Sequence, residues 1–212
     1  MQLYSYALSS AAYRVRIALN LKALEYDTLT IALAKEGGEQ HKPEYLQINP
    51  QGLVPTLIDD GVTLTQSLAI MEYLEEKYPD IPLLPSNPVD RAQVRAMALA
   101  IACDIHPLNN LRVRAYLSDD MQQSESAIGA WYRHWILITF ASLESIVETY
   151  GGDYCFGNTI TLADVCLIPQ MANARRYDTD VSAFPKLQRI DSVLREHPAF
   201  DAAAPENQPD AP

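Results

Sequence analysis

Four prolines fall within the twelve residues 79–90, PDIPLLPSNPVD, and the apolar pattern of the chain changes period across them. Proline has no N–H to donate and fixes its own φ, so a stretch this rich in it connects domains rather than crossing a core. Before it, apolar residues alternate in QLYSY (2–6) and in YDTLTIAL (26–33), the period of a half-buried strand. Between them SSAAYRVRIALNLKAL carries Tyr13, Ile17, Leu21 and Leu24 on a helical stripe. After the prolines every patterned segment is helical: 90–117 with Val94, Met97, Ala98 and Ile101 on one stripe, then 126–150, 161–176 and 184–197. A chain of 212 residues can hold two small domains. The change of period predicts an α/β domain at 1–80, a linker at 81–88 and an all-helical domain at 89–212. The tail has a disordered composition from about residue 203.

Within the first half, the short strand Thr56–Ile58 is followed by the turn Asp59-Asp60-Gly61 and a second strand at Thr63–Leu64, the spacing of an antiparallel hairpin. QSLAIMEYLEEKY then reads as an amphipathic helix stopped by Pro79. Residues 34–49 read as a polar loop with a short, irregular helix. The order βαβ, α, ββα is that of a thioredoxin-like domain, with one parallel strand pair and an added antiparallel hairpin. In that layout Pro55 opens the third strand through a cis bond, and the N–H and C=O of Val54 face a peptide-like ligand. A trans proline trimming an edge strand is the other reading. Gln66 and Ser67 begin the third helix, where free N–H groups and a hydroxyl favour a carboxylate. Ser9 and Ser10 begin the first helix, where a hydroxyl and the helix end stabilise a thiolate. Either pair also serves as plain N-capping without a ligand.

Net charge is −11, from 16 basic and 27 acidic side chains, which argues against nucleic acid or an anionic membrane as partner. The N-terminus lacks a basic region followed by an apolar one, and no run reaches the ~18 apolar residues of a membrane span. Cys103, Cys155 and Cys166 show no CxxC spacing, so neither a metal site nor a disulfide framework is expected, and a reducing cytoplasm fits. Asp164 in TLAD reads as a helix cap, Trp131 with Trp135 as packing, and Arg112 and Arg114 as residues that coat a helix.

Several stretches together, SSAAYRVRIALNLK, NPQGLVPTLIDDG, QSLAIMEYLEEKYP, LLPSNPVDRAQVRA, CDIHPLNNLRV and TLADVCLIPQMANARRYDTDV, resemble the zeta class of glutathione transferases. That class includes maleylacetoacetate isomerase and the bacterial maleylpyruvate isomerases. The resemblance implies the glutathione transferase fold, glutathione as coenzyme, a small diacid substrate and a homodimer. It implies that Ser9 and Ser10 lie beside the sulfur, that Val54 and Pro55 hold the cysteinyl part, and that Gln66 and Ser67 hold the γ-glutamyl carboxylate. It adds Gln40, Gln51, His106 and Asn110 as further coenzyme contacts, and Arg176 and Arg112 as residues facing the substrate, Arg176 also in a catalytic role. The activity implied is glutathione-dependent cis–trans isomerisation of maleylacetoacetate. Maleylpyruvate isomerisation, general conjugation of electrophiles and a non-enzymatic binding module are the alternatives. Ala11 stands where the class commonly has cysteine, and Leu8 and Leu111 stand where maleylpyruvate isomerases have arginine.

Overall fold

The alternating segments of the first half become one four-stranded sheet. The computed structural model describes residues 1–33 and 37–211, so residues 34–36 of the loop expected at 34–49 lie outside the described residues. The chain divides into two units, Met1–Pro82 with Glu196–Pro212, and Leu83–Arg195. The first begins with β1 (Gln2–Ser5), α1 (Ser10–Leu21), β2 (Asp27–Thr30) and a 3-10 turn at Glu39–His41. It continues with α2 (Pro43–Leu46), β3 (Thr56–Asp59), β4 (Val62–Thr65) and α3 (Ser67–Lys77). The sheet order is β2-β1-β3-β4, with β1 parallel to β2 and antiparallel to β3, and β3 antiparallel to β4. This is the thioredoxin-like layout. Period-2 alternation sends Leu3 and Leu57, paired across β1 and β3, to one fully buried face. Val15, Ile17 and Leu19 of α1 and Ile70, Met71 and Leu74 of α3 are also fully buried. Each such side chain contributes roughly 1.5–3 kcal/mol by leaving water.

In the second unit the helices are α4 (Pro88–Asp104), α5 (Leu111–Ala115), α6 (Glu125–Tyr150), α7 (Leu162–Arg176) and α8 (Pro185–Arg195), with a π-helical turn at Tyr116–Asp120. Their starts follow from side-chain chemistry. The Asn87 side-chain oxygen accepts from Val89 and Asp90 N–H, and Ser124 Oγ accepts from Ala127 N–H. Asp164 is fully buried and accepts from Cys155 N–H (2.8 Å), Thr161 N–H (2.8 Å) and Thr161 Oγ1 (3.0 Å), so it closes a capping box. Burial pushes its pKa up, while these hydrogen bonds to the charged form oppose the rise. The core of this unit is built from Met97 and Ile101 of α4, Ile136 and Phe140 of α6, Ile168 of α7, and Leu187 and Ile190 of α8, all of them buried.

The single helix expected over 90–117 is two helices. α4 ends at Asp104, Pro107 offers no N–H to continue it, and Asn110 caps a new start by accepting from Arg112 N–H at 3.1 Å. Trp131 Nε1 donates to Leu108 O at 2.9 Å and its ring meets Trp135 edge-on, centroids 5.5 Å apart.

The C-terminal segment also departs from expectation. Rather than a disordered tail from about 203 belonging to the helical domain, it forms α9 (Pro198–Asp201) and a 3-10 turn at Pro205–Asn207, and it groups with the first unit. The reason is a buried cation that composition does not reveal. Arg16, fully buried, donates from Nε to Ala203 O (2.9 Å), from Nη1 to Ser5 Oγ (2.9 Å) and Tyr6 O (3.3 Å), and from Nη2 to Ala7 O (3.1 Å). Burial pushes its pKa down to about 10. Asp210 accepts from Ala7 N–H at 3.0 Å, so the tail and the loop before Ser9 share one polar network.

Candidate active site

Strand register brings three chain segments to one end of the sheet. Tyr4 pairs with Thr56 and Thr56 with Thr65, so these residues form a row. Just beyond that row lie the β1–α1 loop leading to Ser9, the Val54–Pro55 step, and Gln66–Ser67 at the start of α3. Residues far apart in sequence thus share an edge because β1, β3 and β4 end there.

Ser9 is the N-cap of α1, and its Oγ accepts from Ala12 N–H at 3.2 Å. Among the described residues the Ser9 hydroxyl proton has no acceptor. Ser9 is half-buried and Ser10, the first helical residue, is buried. At α3 the first backbone bond is Ile70 N–H to Gln66 O (2.9 Å), which leaves the N–H groups of the first turn without a helical acceptor. Gln66 holds φ at 69°, a left-handed conformation that costs a non-glycine residue about 1–3 kcal/mol. Its Nε2 donates to Gln51 Oε1 at 2.9 Å. Ser67 Oγ accepts from Arg14 Nη1 at 3.4 Å, which sets a buried guanidinium behind the end of α3. The sequence reading missed Arg14. Its signal was a basic residue in an otherwise apolar helical segment.

The Val54–Pro55 peptide is cis. Among the described residues neither Val54 N–H nor Val54 C=O pairs with another backbone group. The preceding carbonyl is fixed instead: Leu53 O accepts from Tyr45 OH (2.6 Å) and Asn49 Nδ2 (2.8 Å). Thr56 Oγ1 lies 2.9 Å from Tyr45 OH and 3.2 Å from Asn49 Nδ2. Tyr45, Asn49 and Thr56 are all buried, so this network braces the segment on both sides of Val54. Tyr45→Phe removes one partner from the half-buried Leu53 carbonyl and one from the buried Thr56 hydroxyl. We expect a stability loss of about 1–3 kcal/mol, read from the urea midpoint. Gln40 is buried in the 3-10 turn, where Nε2 donates to Leu33 O at 3.3 Å and Oε1 has no hydrogen-bond partner among the described residues.

The remaining expected residues belong to the second unit. His106 is half-buried, and the Asn110 side chain is engaged as the cap of α5. Arg112 is exposed. Arg175 is paired with Asp191, whereas its neighbour Arg176 is exposed, with its guanidinium carbon 5.6 Å from the centroid of the Tyr177 ring. Arg114, read from sequence only as a helix-coating residue, donates from Nη1 to Tyr177 OH at 2.5 Å.

A thioredoxin-like sheet followed by a helical unit is the fold of glutathione transferases. The profile of the glutathione S-transferase N-terminal domain matches residues 3–84. A probable maleylacetoacetate isomerase of Vibrio cholerae is 53% identical over 99% of this chain and 97% of its own length. A holo structure of maleylpyruvate isomerase, described as a bacterial zeta-class glutathione transferase, superposes with a TM-score of 0.97 at 42% identity, covering 100% of both chains. A maleylacetoacetate isomerase from Methylobacterium extorquens AM1, solved with bound malonate and glutathione, gives 0.95 at 39% identity over 100% of both chains. The chain belongs to the zeta class of the glutathione transferase family.

Proposed function

We propose that this protein is a glutathione-dependent cis–trans isomerase that converts maleylacetoacetate to fumarylacetoacetate in the breakdown of aromatic compounds. The observation that carries the reading is the shared sheet edge, where a helix-capping serine, a Val54 backbone with no backbone partner among the described residues and the open start of α3 converge. The residues fit the coenzyme: Val54 offers one donor and one acceptor to its peptide, and the buried Gln40 Oε1 offers an unused acceptor. Ser67 and the first N–H groups of α3 suit its γ-glutamyl carboxylate, with Arg14 adding positive charge behind them. Gln51 and Gln66 flank that position, and class membership adds His106 and Asn110 as further contacts.

When bound, glutathione supplies a thiolate that adds reversibly to the conjugated double bond and so permits rotation about it. The chain's own part is positional and electrostatic. Ser9 donates its hydroxyl proton toward the sulfur position while the helix N–H of Ala12 polarises its oxygen. Ser10 and the α1 N-terminus add to the same field. Arg176 binds a substrate carboxylate through its guanidinium fork, and Arg112 is a second candidate on α5. The proposal includes a cytoplasmic homodimer. Its supports are class membership and exposed apolar side chains such as Val89, Leu99 and Ile138, and among the described residues no helix is long and apolar enough to cross a membrane.

The test is a coupled assay with maleylacetoacetate and maleylpyruvate side by side, with and without glutathione. We expect glutathione-dependent product with total free thiol constant, and faster turnover of maleylacetoacetate because Leu8 and Leu111 bring no positive charge for the shorter diacid. Consumption of thiol in step with substrate would replace isomerisation with conjugation.

A further inference from the structure

Arg114 sits in a setting that the sequence pattern gave no reason to expect. Its guanidinium carbon lies 5.0 Å from the Tyr177 ring centroid and 6.0 Å from that of Tyr132. The two rings stack, with centroids 3.7 Å apart and planes inclined by 27°. Arg176 approaches the same Tyr177 ring at 5.6 Å. Two cations therefore share one aromatic ring, and neither forms an ion pair with a carboxylate of the described residues. The basic residues around them are spent differently: Arg175 and Arg195 both pair with Asp191. Arg114 Nε is buried and has no hydrogen-bond partner among the described residues. Tyr132 does not supply the missing negative charge, because burial first and Tyr177 second push its pKa up.

Two guanidinium groups at one ring, neither paired with a carboxylate of the described residues, leave positive charge that a bound anion neutralises through charge-assisted hydrogen bonds. We infer that Arg114 and Arg176, set around the Tyr177 ring, form a two-cation receptor for a dicarboxylate, with Arg114 as a specificity-determining residue. Arg112 is two positions away on the five-residue α5, and residues so spaced do not share a helix face. Tyr177 fixes the receptor by holding Arg114 Nη1 through its hydroxyl. This inference rests on the isomerase reading for the identity of the anion, but its test does not need turnover.

The probe is malonate, titrated by calorimetry into protein saturated with glutathione. Arg114→Gln is expected to weaken malonate binding roughly tenfold or more, the loss of a charged hydrogen-bonding partner, with glutathione affinity unchanged. Arg114→Lys, which keeps the charge without the fork, is expected to fall between wild type and Arg114→Gln. Malonate affinity unchanged in Arg114→Gln would overturn the receptor. An equal loss of glutathione affinity in both variants would also overturn it, by showing that Arg114 supports the fold rather than the anion. Wild-type protein that binds malonate but turns over neither maleyl diacid would remove the isomerase reading and leave the receptor standing.

Discussion

Lys22→Ala is expected to lower the unfolding free energy by about 3–5 kcal/mol, the range for breaking a buried ion pair from one side. Lys22 Nζ lies 2.6 Å from Glu75 Oε1, and the two side chains are 1% and 5% exposed. The same ammonium donates to Tyr78 O at 3.0 Å and Ile81 O at 2.8 Å. All three of its protons therefore have acceptors, and it joins the end of α1 to the end of α3. Removing it takes a buried ammonium away from the Glu75 carboxylate and from two carbonyls. Chemical denaturation followed by circular dichroism measures the loss. The double variant Lys22→Met with Glu75→Leu is expected to be less destabilised than Lys22→Ala, because both charges of the buried pair are replaced by apolar side chains of similar length. A Lys22→Ala loss below about 1 kcal/mol would show that water reaches the pair, as at an exposed one.

Lys22 also illustrates where sequence reading stops. Period located the strands and most of the helices, since alternation and the helical stripe are local and backbone hydrogen bonding enforces them. Chain topology, not period, gathers Ser9, Ser67 and Val54 at one sheet edge, because the helix starts and the third-strand proline fall there. What escaped were the buried polar partners. Arg14, Arg16 and Lys22 look like surface charges on an amphipathic helix, yet each is at most 6% exposed. Their acceptors are mostly a distant hydroxyl, carboxylate or backbone carbonyls, and carbonyls are present at every residue and so mark nothing in the sequence. The tail was misread for the same reason: Ala203 serves through its carbonyl oxygen, which an Ala- and Pro-rich composition does not advertise. Arg114 escaped because the helix expected over 90–117 is broken at Pro107, which resets the face each arginine presents.

Ser9→Ala is expected to reduce isomerisation near neutral pH by roughly 10- to 100-fold, the worth of one hydrogen bond to a charged group. A free thiol has a pKa of ~8.5, so only a few per cent is ionised at neutrality unless the protein stabilises the anion. Loss of the Ser9 donor raises the thiol pKa in the complex. The deficit is therefore largest at low pH and narrows as pH rises through the raised value. Ultraviolet titration of the bound thiolate measures that shift without turnover. The substitution also removes the cap on Ala12 N–H, about 0.5–2 kcal/mol of stability, so thermal denaturation separates the two effects. Ser10 is buried while Ser9 is half-exposed, and Ser10→Ala is expected to shift the thiol titration less. A Ser9→Ala protein with the wild-type thiolate titration and pH–rate profile would leave Ser9 as a helix cap and assign thiol activation to the α1 N-terminus and Ser10.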